Sequence, residues 1–69
     1  MATYYLSYEI TYMVDGEKES DFEDKIVEAT SLANAKKQQR NNILMEYGAK
    51  TKVRWDDCYR TSDNARTSL

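Results

Sequence analysis

A chain of 69 residues makes one small domain, and at that size about 60% of the unfolded surface is buried, so stability without a staple or a partner is marginal. One cysteine, Cys58, and no histidine exclude an internal disulfide and the common zinc ligand sets. The formal net charge of −2 lacks the basic excess of a chain that binds nucleic acid through phosphate neutralisation.

The charge is nonetheless uneven, with eight acids and two bases in residues 1–30 and four acids and eight bases in residues 31–69. The halves complement each other within one domain, or each half meets a partner of opposite sign. The lone thiol, the absence of a secretory signal and the absence of a long apolar run predict a cytoplasmic protein with no membrane span. Cys58 has no histidine or second cysteine to activate it and reads as an inert side chain.

The first element is TYYLSYEITYMV, residues 3–14, where Tyr4, Leu6, Tyr8, Ile10, Tyr12 and Val14 occupy every even position. Strict alternation is the period-two signature of a strand with one buried face. Tyr5 and Met13 then place apolar groups on the odd face as well. The strand ends at Asp15-Gly16, a hairpin signal, and KESDFEDKIVEA returns as a second strand. A two-residue turn would set Ile10 opposite Asp21 and Leu6 opposite Lys25, burying charge. A three-residue loop with Gly16 in a G1 bulge sets Tyr8 opposite Phe22 and Tyr4 opposite Ile26, and is the expected arrangement. Asp24 and Glu28 share the parity of Phe22 and Ile26, which marks a half-solvated edge strand.

Thr30 or Ser31 is a good N-cap, and SLANAKKQQRNNILMEY predicts a helix of four to five turns that stops at Gly48. Leu32, Ile43 and Tyr47 fall in one stripe, flanked by Ala33 and Leu44. Lys36, Gln39 and Arg40 lie in the same stripe, so the middle of the inner face is polar. Long basic stems can cover a sheet and snorkel outward, or face a ligand. After Ala49, KTKVRWDDCYR predicts a third strand with Val53, Trp55 and Tyr59 on one face. Lys52, Arg54, Asp56, Cys58 and Arg60 take the other. Residues 62–69 are polar and aperiodic and predict a disordered tail to a domain of residues 1–61.

These elements predict an α+β fold, ββαβ, in which a three-stranded antiparallel sheet of order 2-1-3 carries one helix on one face. The expected core is Tyr8, Ile10, Phe22, Ile43 and Trp55. The opposite face is expected to present Tyr5, Ser7, Glu9, Thr11 and Met13 in the middle. Lys52, Arg54, Asp56, Cys58 and Arg60 flank them on one side, and Glu23, Lys25 and Val27 on the other. The candidate partner-binding residues are Tyr5, Met13, Lys52, Arg54 and Arg60.

Three uses suit such a face: self-association as a homodimer, docking of another protein, or a stacking platform for single-stranded nucleic acid. Nucleic acid is disfavoured because Tyr5 is the single aromatic there and Glu9 and Asp56 interrupt the cations. Asp56 and Asp57 point to opposite faces of a strand and do not converge on one metal ion. No catalytic, cofactor or metal constellation stands out, and an enzyme is not expected. The Tyr-, Asn- and Asp-rich composition and acidic hairpin of residues 3–60 resemble small accessory proteins of tailed bacteriophages, which implies a stoichiometric binder of a host protein. GEKESDFED departs from a full nucleic-acid mimic because Lys18 and Lys25 interrupt it.

Overall fold

The computed structural model describes residues 1–61. Strand β1 (Ala2–Val14), strand β2 (Glu17–Ala29), helix α1 (Leu32–Tyr47) and strand β3 (Lys52–Arg60) follow in that order. The sheet is antiparallel with order β2-β1-β3, and the helix lies between β2 and β3 in the chain, which is the expected ββαβ architecture. The fold is elongated, 48 × 20 × 15 Å, because both strands of the hairpin run 13 residues.

The hairpin differs from expectation. Val14 pairs with Glu17 across a two-residue turn, so Tyr8 faces Glu23 and Tyr5 faces Ile26, and the odd-length loop is wrong. Asp15 (φ 51°) and Gly16 (φ 81°) both take positive φ, as a type I′ turn requires. Aspartate tolerates that region better than most residues, and the turn's twist matches that of the strands. The anticipated cost of charge opposite apolar residues is removed by tyrosine hydroxyls. Tyr12 Oη donates to Asp21 Oδ2 at 2.7 Å and Tyr8 Oη to Glu23 Oε1 at 3.1 Å.

The core follows the even face of β1. Tyr4, Leu6, Tyr8 and Ile10 are buried with Ala29, Ala35 and Ile43. Phe22, expected in the core, is exposed, because the two-residue turn assigns it to the opposite face. Trp55 is half-buried; its ring meets that of Tyr8 edge-on at 5.4 Å, and the Lys36 ammonium lies 5.9 Å from its centroid. Lys36 thus covers the sheet as a snorkelling cation, whereas Arg40 is exposed. Gln39 is buried and donates through Nε2 to Tyr8 Oη at 2.9 Å.

Ser31 caps the helix, accepting from the Asn34 N–H at 3.1 Å. At the other end the Gly48 N–H bonds the Leu44 carbonyl at 2.9 Å. Gly48 has a φ of 112°, where a side chain is strained. The tail expected at 62–69 lies outside the described residues.

Candidate interaction surface

The face of the sheet away from α1 is assembled by two details of register. In an antiparallel ladder directly opposed residues share a face. The even register of the hairpin therefore sends Phe22, Asp24, Ile26 and Glu28 to the open side with Tyr5, Ser7, Glu9, Thr11 and Met13. Glu23, Lys25 and Val27, expected on this open side, lie on the helix side instead.

The second detail is a shift in the β1–β3 ladder between Leu6 and Tyr8. Tyr8 pairs with Trp55 but Leu6 pairs with Cys58, so Asp56 and Asp57 together oppose Ser7. A bulge of this kind reverses parity along the rest of the strand. Lys52 and Arg54 lie on the open face as expected. Beyond the bulge Tyr59 joins them opposite Tyr5, and Cys58 and Arg60 pass to the helix side opposite Leu6 and Tyr4. Cys58 is half-buried, its Sγ 3.7 Å from the Ser7 carbonyl oxygen.

Of the five candidate binding residues, the structure brings Tyr5, Met13, Lys52 and Arg54 to one face and separates Arg60 from them. Sequence reasoning missed Phe22, Ile26 and Tyr59. Phe22 is 73% exposed, Ile26 65%, Met13 57% and Tyr59 53%, so four large apolar or aromatic side chains of this face stand largely in solvent. Asp15-Gly16, read as a two-residue turn, would have found the first two. Simple alternation would place Asp57 on the inner face between Trp55 and Tyr59, and that conflict was the available sign of the bulge.

The open face has an order of its own. Tyr59, Tyr5 and Ile26 form one row across the sheet, with the two tyrosine rings 5.2 Å apart and tilted by 38°. Arg54, Glu9 and Phe22 form another, in which Arg54 Nη2 lies 3.0 Å from Glu9 Oε1 and Nε donates to the same oxygen at 3.1 Å. Between them, Tyr5 Oη donates to Asp24 Oδ2 at 3.3 Å. The charge of Asp24 and burial of the ring both disfavour a tyrosinate, and the Tyr5 hydroxyl is held above its ordinary pKa, burial being the larger cause.

The helix side carries a different polar arrangement. Glu23 accepts from Tyr8 and, through Oε2, from Tyr47 Oη at 3.0 Å. The Tyr8 hydroxyl is pushed up to about 12, chiefly by burial, and the Tyr47 hydroxyl to about 12, chiefly by its hydrogen bond to Glu23. Tyr12, also raised by its bond to Asp21, packs against Tyr47 at 4.8 Å. A groove of about 440 Å³ runs between β2 and α1, lined by Glu23, Asp24, Lys25, Gln39, Asn42 and Glu46 among others. Among the described residues no group of three or more His, Cys, Asp or Glu side chains could hold a metal ion, and no helix is long and apolar enough to cross a membrane.

Against protein-family models, curated proteins and solved structures, the chain finds no match.

Proposed function

We propose that the chain is a protein-interaction module that docks through the open face of its sheet and carries out no catalytic step. The observation that supports this is the exposed Tyr59–Tyr5–Ile26 row with Phe22 beside it, on strands whose other face already supplies the core. A fold gains little by turning large apolar groups outward, while aromatic anchors rimmed by charge are the usual composition of a protein interface. The resemblance to phage accessory proteins extends this reading to a binder that works in a host cytoplasm.

The double variant Phe22→Ser/Ile26→Ser tests the reading. Exposed positions shift stability little, so the variant stays folded, and it loses the partner that wild type captures from host lysate. Equal capture by the two proteins would remove the open face from the interaction.

A second reading, binding of single-stranded nucleic acid, gains from the structure: the open face carries the Tyr5–Tyr59 pair and, past the Asp56–Asp57 bulge, Arg54 and Lys52, so stacking and cations share one face. Against it, Arg54 is held by Glu9, and Asp24 and Glu28 share the face. Titration with labelled DNA and RNA at two salt concentrations separates the readings, because phosphate-driven binding falls steeply with salt. Tight, salt-sensitive binding lost on Tyr59→Ser would favour the second.

A further inference from the structure

We infer that the hairpin end of the sheet holds a binding site for a compact anion, a phosphate or diphosphate group, built from Lys18, Lys50, Lys52 and the main-chain N–H of Met13. The site is independent of the docking surface proposed above. Register places the N–H. The two-residue turn is closed by the Val14–Glu17 pair, so the N–H and C=O groups of even residues of β1 point to β2. Those of odd residues point to β3, as the bond from the Thr61 N–H to the Thr3 carbonyl requires. β3 begins at Lys52, opposite Thr11, and stops short of Met13. Met13 therefore turns its N–H toward a stretch of edge with no strand beside it, and among the described residues no acceptor bonds that group.

Three lysines surround that edge. A hollow of about 150 Å³ is lined by Thr11, Tyr12, Met13, Lys18, Lys50 and Lys52. Lys18 comes from β2 opposite Met13, Lys52 from β3 opposite Thr11, and Lys50 from the turn between α1 and β3. No aspartate or glutamate lines this hollow, nor the neighbouring one of about 260 Å³ that Met13 and Lys50 also border. Among the described residues none of the three lysines takes part in an ion pair. Glu17 and Glu19 flank Lys18 in the chain but point to the other face of the sheet. Three positive charges thus meet without an internal partner in a chain whose net charge is −2.

The chemistry of the lining selects the ligand. A lysine ammonium is a compact point charge with three donors and suits the oxygens of a phosphate, whereas the planar fork of arginine is the better match for a carboxylate. A free N–H at a sheet edge adds a directed donor for the same oxygens. The hollow is smaller than the roughly 300–1,000 Å³ of a site for a drug-sized molecule, which restricts the recognised part to the anionic group itself. Exposed ion pairs are individually weak, so the dissociation constant for pyrophosphate should be on the order of 1 mM at low ionic strength.

Nuclear magnetic resonance titration of the isotope-labelled chain with pyrophosphate, at an ionic strength held constant with sodium chloride, tests the site. The Met13 amide resonance should move and saturate. Lys18→Gln, Lys50→Gln and Lys52→Gln, all at exposed positions and therefore expected to fold, should each weaken binding about threefold, and the triple variant about tenfold or more. Lys37→Gln removes the same charge from an exposed position on α1 and should leave the affinity unchanged, as should Arg54→Gln. A Met13 amide that does not move, shifts that never saturate, or an equal loss on Lys37→Gln and Lys50→Gln would overturn the inference. So would a single-stranded oligonucleotide that binds more tightly than pyrophosphate and loses as much on Arg54→Gln as on Lys50→Gln, since the cations would then form a track for a nucleic-acid backbone.

Discussion

Glu23 stands opposite Tyr8, a residue only 1% exposed, in a position where a carboxylate without donors would be costly. Tyr8 and Tyr47 supply the donors, and removing the acceptor leaves the buried hydroxyl of Tyr8 with no group to donate to. Glu23→Ala is expected to cost about 2 kcal/mol in urea unfolding, and Glu23→Gln less, since an amide oxygen still accepts. The same bonds give alkaline pH a definite effect. The tyrosines titrate near 10 unfolded, while Tyr8 and Tyr47 are held up to about 12 when folded, so between these values the unfolded chain binds fewer protons. Their contribution is complete below pH 10 and is lost as pH rises through 12, so stability should fall across that window. Tyrosinate absorbance should show late-titrating tyrosines in the native protein, and Tyr47→Phe should remove one of them. At the turn, a Cβ on Gly16 would meet no atom within 4 Å, so Gly16→Ala is resisted by φ alone, at a cost of about 1 kcal/mol. Thr51 offers the opposite case: its buried hydroxyl has no hydrogen-bond partner among the described residues. Thr51→Val should be neutral or stabilise by up to about 1 kcal/mol in the same unfolding assay.

The elements differ in how far they could be read in advance. Unbroken alternation marks β1 as the central strand: of its six even positions Tyr4, Leu6, Tyr8 and Ile10 are buried and Tyr12 is half-buried, while Val14 at the turn is exposed. Ser31 and Gly48 mark the ends of α1 through capping chemistry that is local in the chain. The hairpin loop was misjudged because charge opposite an aliphatic row looks prohibitive when tyrosine is counted only as a ring; its hydroxyl makes Asp21 and Glu23 acceptable neighbours. The bulge in β3 was not legible from propensity, because it is a property of pairing: Asp56 and Asp57 share one opposing residue only once β1 is beside them. Deleting Asp57 should therefore regularise the ladder without turning the strand: Asp56 alone would oppose Ser7, Cys58 would stay opposite Leu6 on the helix side, and Tyr59 would stay opposite Tyr5. Labelling of Cys58 by a maleimide should stay close to the wild-type rate, and a several-fold acceleration would contradict the assigned register.

At the scale of the molecule, the interior is one cluster of seven buried residues, four from one face of β1 with Ala29 of β2 beside them, beneath a helix whose inward residues are Ala35, Gln39 and Ile43. Such a core leaves little reserve. Ile10→Ala removes a side chain with no exposure, at a cost of about 3 kcal/mol, a large part of what a domain this size possesses. Calorimetry should show either a strongly lowered Tm or no cooperative transition. Connectivity adds a further exposure, in time rather than in space. The central strand precedes both of its neighbours in the chain, and one of them, β3, is the last of the described elements: Thr61 bonds back to the carbonyl of Thr3, 58 residues earlier. During synthesis β1 leaves the ribosome with both edges open, gains β2 soon after, and keeps its other edge unpaired until the end of β3 has emerged. A tyrosine-rich strand in that state is a template for pairing between nascent chains. Slowing elongation within residues 52–60 should thus lower the soluble yield more than an equal delay within the helix.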